Sequence, residues 1–167
     1  MTKTQTAIKE KRTLFPKSVK NALANKSNIL KSGEQNQKLG GFIVKGIWRG
    51  LPLYSLTIEE RSTCPTTCAH FTDCYGNNMP FAHRFDKGED LEKRLEIELK
   101  QLNYKHPFGF VIRLHVLGDF YSVEYVKKWE QWRAIYSTEQ SMKAFEEDVQ
   151  MIGFGEAPTK AEGAMIT

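Results

Sequence analysis

Three cysteines lie close together near the middle of the chain, at positions 64, 68 and 74, with a C-x3-C-x5-C spacing. Thiolates are soft ligands that favour zinc, copper and iron–sulfur clusters. An odd number of cysteines leaves a set of disulfides incomplete, and in a reducing compartment such a group indicates metal or redox chemistry. Cys64, Cys68 and Cys74 are therefore predicted to bind one metal centre.

The number of available ligands separates two kinds of centre. Three thiolates can hold three irons of a [4Fe–4S] cluster and leave the fourth iron open to a substrate or cofactor. Structural zinc takes four protein ligands, and His70 could complete a Cys3His set, although only one residue separates it from Cys68. We favour the cluster, keep zinc as the alternative, and keep reduced structural cysteines as a third interpretation.

The segments around the cysteines indicate how they are held. The cysteine loop, residues 59–79, has no hydrophobic periodicity and is rich in Pro, Thr, Asn and Gly, so it is predicted to be irregular. Residues 42–48 (FIVKGIW) and 53–58 (LYSLTI) predict a hairpin across a turn at 49–52. A strand is therefore expected to lead directly into the loop.

Two helices and a strand are predicted after the loop. An amphipathic helix over about residues 89–104 carries an apolar stripe, formed by Leu91, Leu95, Leu99 and Leu102. Alternation predicts a strand over 110–117, with Arg113 and His115 on one side and an apolar set on the other, Phe110, Ile112, Leu114 and Val116. Ser122 is placed to cap a final helix. Strands alternating with helices in this way indicate βαβ units, an α/β fold and a parallel sheet.

From about residue 37 to residue 132 the chain resembles a group of uncharacterised phage and plasmid proteins. In these, a strand runs into a Cys-Pro…Cys…Cys-Tyr loop and a later strand ends in Arg-x-His-x-x-Gly-Asp-Phe. The matching segments here are ERSTCPTTCAHFTDCYG, RLHVLGDF and YSVEYVKKW. The group in turn resembles the radical S-adenosylmethionine (SAM) superfamily, whose usual spacing is C-x3-C-x2-C; here the second gap is five residues.

This resemblance implies a fold, a cofactor and site residues. The fold would be an incomplete TIM-like (βα) barrel of two to three βα units, and the three cysteines would hold a [4Fe–4S] cluster with SAM at its open iron. Gly118 and Asp119 would form the turn near the amino group of SAM. Arg113 and His115 would face the lumen and contact substrate or a carboxylate. The protein would then be a radical SAM enzyme of a phage or plasmid.

Two other functions remain open from the sequence. One is a zinc-binding accessory protein of a mobile element that contacts nucleic acid through a basic arm, since residues 1–40 carry nine Lys or Arg against two Glu. The other is a truncated, inactive copy. Residues 138–167 read as an atypical tail, consistent with truncation or recombination, and a parallel sheet cut short would expose an edge for self-association.

The domain organisation expected is a basic, partly disordered arm at 1–40, an α/β metal-binding domain at 41–137, and the tail. A short helix is predicted at 16–24, and residues 1–36 are expected to be dispensable for folding because they lack a periodic apolar face. No apolar run is long enough to span a membrane. The N-terminus has no signal-peptide pattern, so the predicted location is the cytoplasm.

Overall fold

The computed structural model describes residues 2–36 and 39–136, so the predicted tail at 138–167 lies outside the described residues. The helices described are α1 (Lys3–Lys9), α2 (Glu89–Lys105) and α3 (Val123–Tyr136). The strands described are β1 (Val19–Lys20), β2 (Lys31–Ser32), β3 (Leu53–Ser55), β4 (Arg84–Phe85) and β5 (Val111–Arg113). Single 3-10 turns cover Pro16–Ser18, Gly33–Gln35 and Tyr75–Asn78.

The centre of the fold is a βαβ unit. Strands β3 and β5 pair in parallel, with Leu53 opposite Val111 and Ser55 opposite Arg113, and the chain between them includes the cysteine loop and α2. Strand β2 adds to the other side of β3 in the antiparallel direction. The predicted α/β fold with parallel pairing is confirmed. Within the described residues the strands form a two-stranded parallel sheet and a three-stranded mixed sheet, and neither closes into a barrel.

Strand β4 closes the base of the cysteine loop. It pairs in parallel with β1, and Phe85 also forms a parallel bridge with Ile58, which follows β3. The N–H of Glu59 donates to the Phe85 carbonyl at 3.1 Å, and the Phe85 N–H donates to the Thr57 carbonyl at 3.2 Å. The cysteine loop therefore leaves the sheet and returns to it at one point.

The hydrophobic core lies between the sheet and α2 and α3. The predicted helix at 89–104 is confirmed as α2, whose Leu91, Leu95 and Leu99 are buried. Helix α3 is also confirmed, and Ser122 Oγ accepts a 3.1 Å hydrogen bond from the Tyr125 N–H at its N-terminus. Because α2 packs on α3 and on the sheet, the two segments that leave β3 and β5 are held in a fixed relation.

Two predicted strands are shorter than expected. In the predicted hairpin, only Phe42 and Pro52 form an antiparallel bridge, because Gly46 and Gly50 have positive φ and introduce turns within it. The predicted strand 110–117 ends at Arg113, and His115 has a φ of 55°. A positive φ interrupts the extended backbone, so the alternation that would place Arg113 and His115 on one face of a strand does not continue to His115.

Residues 2–36 pack against the rest of the chain, where the sequence suggested a partly disordered arm. Ala22, Ile29 and Leu30 belong to the hydrophobic core. The buried carboxylate of Glu98 on α2 accepts hydrogen bonds of 2.9–3.0 Å from the backbone N–H groups of Ile29 and Leu30. The helix predicted at 16–24 is a 3-10 turn followed by β1. Because these contacts are irregular, they leave no helical or strand period in the sequence. They argue against the prediction that residues 1–36 are dispensable for folding.

Candidate metal centre

The three cysteines are free thiols, and all three are half-buried. Burial raises the pKa of the Cys64 thiol to about 11, and a hydrogen bond from the backbone N–H of Arg61 opposes this shift. Negative charge on Asp119, Cys68 and Cys74 adds to the rise. These couplings place the other two cysteines and Asp119 in the electrostatic environment of Cys64.

Arg61 holds the middle of the cysteine loop from inside. Its side chain is 1% exposed, and its Nε donates to the Phe71 carbonyl at 2.9 Å. Its Nη2 donates to the Thr72 carbonyl at 3.3 Å and to Oδ1 of Asn77 at 2.6 Å. Phe71 and Thr72 lie between Cys68 and Cys74, so Arg61 fixes the backbone that carries the last two cysteines.

Arg84 on β4 holds the end of the same loop. It is fully buried and pairs with Glu60, with 2.6 Å between Nε and Oε2. Its remaining N–H groups donate to Ser18 Oγ and to the carbonyls of Gly76, Met79 and Ala82. A planar guanidinium with five donors suits such a site, because one side chain can satisfy several loop carbonyls.

The N-terminal segment completes this network. Arg12 Nε lies 2.7 Å from Oε1 of the buried Glu59, which also accepts from the Thr13 N–H at 3.0 Å. The Thr13 hydroxyl donates to Oε1 of Glu60 at 2.6 Å. The two carboxylates that begin the cysteine loop are therefore neutralised by Arg12 and Arg84.

The turn after β5 lies directly against the start of the cysteine motif. The Asp119 N–H donates to Oγ1 of Thr63 at 3.1 Å, and Thr63 immediately precedes Cys64. Gly118 has a φ of +84°, and a Cβ there would lie 2.4 Å from Cγ1 of Ile58 and 2.7 Å from Oγ1 of Thr63. Only glycine allows this approach without displacing the loop.

The other two predicted cofactor contacts are placed differently from each other. Arg113 is exposed. It lies close enough to Tyr75, the residue after Cys74, for its positive charge to oppose the rise in the Tyr75 pKa that burial causes. His115 instead packs edge-on against Phe120, with 4.6 Å between ring centroids, and near Tyr125. Burial lowers the pKa of His115 to about 4. The structure therefore brings Gly118, Asp119 and Arg113 to the cysteine loop and places His115 in an aromatic cluster.

The cysteines do not form a preassembled site for one ion. No group of three or more His, Cys, Asp or Glu side chains in the described part of the chain is arranged to hold a metal ion, and His70 is exposed. Ligands about 2.3 Å from a single zinc would place their sulfur atoms about 3.8 Å apart. In a cluster each thiolate binds a different iron, so the sulfur atoms surround a larger centre and lie farther apart than around a single zinc.

Sequence reasoning missed the residues that organise the loop. Glu59, Glu60, Arg61 and Arg84 are buried, although charged residues are usually exposed. The available signal was the Glu-Glu-Arg sequence at the end of a buried strand, where side chains of that type must find partners. The side-chain partners of Glu59 and Glu60 lie 24 to 47 residues away, and sequence spacing does not reveal such pairs.

Comparisons with protein-family models, with curated proteins and with solved structures found no match to this chain. Within residues 2–36 and 39–136, no helix has the length and apolar character needed to cross a membrane. The functional interpretation therefore depends on the cysteine loop, the turn at Gly118 and Asp119, and the contacts that join them.

Proposed function

We propose that this chain is a radical-SAM-like iron–sulfur protein in which Cys64, Cys68 and Cys74 hold a [4Fe–4S] cluster. The observation that carries the proposal is the parallel pairing of β3 and β5. It brings the cysteine loop and the turn at Asp119 to the same end of the sheet, which is where α/β folds place their ligands. The unit β3–α2–β5–α3 would then be the first part of an incomplete TIM-like barrel.

The residues present fit such a cluster by their donor chemistry. Three free thiols lie in one irregular loop, and soft thiolates are the ligands that iron–sulfur clusters use. When bound, the cluster would supply an electron to SAM at its open iron for reductive cleavage. The chain provides three ligands and no fourth thiol, which leaves one iron for the cofactor.

The protein's own contribution would be to orient and enclose the cofactor. Arg61 and Arg84 fix the loop that carries the thiolates, and the missing side chain at Gly118 lets the turn approach. The Asp119 carboxylate would accept a hydrogen bond from the amino group of SAM. Exposed Arg113 would contact a carboxylate, whereas His115 would support the turn through its packing.

The proposal is tested by anaerobic reconstitution with iron and sulfide, followed by reduction with dithionite in the presence of SAM. The expected result is a brown protein that forms 5′-deoxyadenosine. Asp119→Asn should keep the iron and reduce SAM binding and cleavage, because it alters a cofactor contact and no metal ligand.

Asp73→Asn is a matched control, since Asp73 is an exposed carboxylate in the same loop. An iron-loaded protein that neither binds nor cleaves SAM would exclude radical SAM chemistry. Colourless protein with one zinc would favour the accessory-protein alternative.

A further inference from the structure

Buried charges around the cysteine loop are paired, with one exception. Glu59 lies 2.7 Å from Arg12, and Glu60 lies 2.6 Å from Arg84. Arg61, which is equally buried, has no carboxylate within ion-pair distance among the described residues. The loop therefore encloses one positive charge more than the neighbouring pairs account for.

The contacts of Arg61 are all with neutral acceptors. Its Nε and Nη2 donate to the carbonyls of Phe71 and Thr72 and to the amide oxygen of Asn77. Its third nitrogen, Nη1, is buried and has no hydrogen-bond partner in the described residues. A guanidinium stays protonated at any ordinary pH, so this donor cannot be relieved by losing a proton.

A buried cation without a counter-charge is unfavourable unless an anion comes close to it. The carboxylates of Glu59 and Glu60, next to Arg61 in the chain, are already paired with Arg12 and Arg84, which leaves the half-buried thiols of the loop as a source of negative charge. The guanidinium of Arg61 donates to the carbonyls of Phe71 and Thr72, in the segment between Cys68 and Cys74. Three thiolates with bound metal would form an anionic centre within the loop that Arg61 organises.

We infer that Arg61 is a positioning residue whose buried positive charge, matched by no carboxylate among the described residues, is the counter-charge of an anionic metal–thiolate centre. This inference rests on the metal binding proposed above and deepens it. It assigns a role to a residue that is neither a ligand nor a cofactor contact. It also distinguishes Arg61 from Arg84, whose charge is already matched by Glu60.

The test compares variants that separate charge from shape. Arg61→Gln removes the charge, Arg61→Lys keeps the charge and loses the planar fork, and Asn77→Ala loosens the clamp without changing charge. Each reconstituted protein is measured for metal retention against a chelator and for the reduction potential of the centre, and thermal unfolding without metal checks that each variant folds. Loss of an outer-shell partner usually lowers metal affinity by about 10–100-fold.

For Arg61→Gln we expect a loss of metal affinity of that size and a more negative reduction potential. The reduced centre carries more negative charge than the oxidised one, so it loses more when the positive charge is removed. Arg61→Lys and Asn77→Ala should keep the wild-type potential even if they bind metal less tightly. If Arg61→Gln does not fold, the potentials of Arg61→Lys and Asn77→Ala still decide, since a shifted potential in Arg61→Lys alone would overturn the inference.

The two failures are distinguishable. A wild-type protein that binds no metal overturns the proposed function, and the inference fails with it. A wild-type protein that binds metal, with Arg61→Gln equal to it in affinity and potential, overturns the inference alone.

Discussion

The backbone N–H of Asp119 donates to the hydroxyl of Thr63 at 3.1 Å, and that hydroxyl donates to the Glu59 carbonyl at 2.7 Å. Thr63 is buried and adjoins Cys64. One hydroxyl therefore joins the start of the cysteine loop to the turn after β5.

Thr63→Val should loosen the junction. Valine has the same shape but lacks the hydroxyl, so the Asp119 N–H and the Glu59 carbonyl lose a partner. We expect a loss of about 1–3 kcal/mol in the free energy of unfolding and a lower metal content after reconstitution. Thr67→Val is the control, since Thr67 is exposed in the same loop. Equal unfolding midpoints for the two variants in urea would contradict the account.

Gly118→Ala should be more harmful than alanine at another glycine with positive φ. Both Gly118 and Gly50 have positive φ, but a Cβ at Gly50 would meet nothing within 4 Å. Backbone strain of about 1–3 kcal/mol applies to both variants, whereas only Gly118→Ala also displaces Ile58 and Thr63. Thermal unfolding should show a clearly larger decrease for Gly118→Ala, and similar decreases would remove the argument for close approach.

Arg12→Gln should destabilise the protein although Arg12 lies in the N-terminal segment. It leaves the buried carboxylate of Glu59 with the Thr13 N–H but without its cation, which we expect to cost about 1–2 kcal/mol. Lys9→Gln, in α1, removes an exposed positive charge and serves as the control. Chemical denaturation measures both. An effect of Arg12→Gln no larger than that of Lys9→Gln would indicate that the segment is only loosely attached.

His115 should make stability fall in mild acid. The unfolded chain takes up a proton on this residue near pH 6.5, whereas the folded chain does so only at about 4. Protons therefore bind preferentially to the unfolded state between these values, and stability declines as pH falls from 6.5 towards 4, by roughly 3 kcal/mol. His115→Phe should flatten this part of the pH profile, and replacing the exposed His83 with Gln should not. A profile unchanged by His115→Phe would contradict the burial argument.

The sequence predicted the regular elements where a period extends over several turns. Leu91, Leu95 and Leu99 define one face of α2, and both its position and its burial were predicted. Strand alternation failed at His115, because one residue with positive φ ends the period. The capping box of α1, in which Thr2 and Gln5 exchange hydrogen bonds, was also missed, although the Thr-x-x-Gln pattern is a usable signal.

The candidate centre was only partly predictable. The three cysteines were identified from their spacing, whereas the turn at Gly118 and Asp119 was singled out by the resemblance to radical SAM proteins, together with the order of strands and helices. The buried arginines were not, because Arg84 and Arg61 find partners through the folded loop and not through local sequence. Long-range pairs such as Arg12 with Glu59 require the tertiary structure before they can be recognised.

The central claim is that Cys64, Cys68 and Cys74 bind an iron–sulfur cluster. It is tested most directly by counting iron and acid-labile sulfide in anaerobically reconstituted protein, in the wild type, in each Cys→Ala variant and in His70→Ala. We predict about four irons and four sulfides per chain in the wild type and in His70→Ala, and loss of the cluster in all three cysteine variants, because a three-ligand centre has no spare thiolate. One zinc per chain with no sulfide, removed by His70→Ala as fully as by Cys68→Ala, would contradict the account.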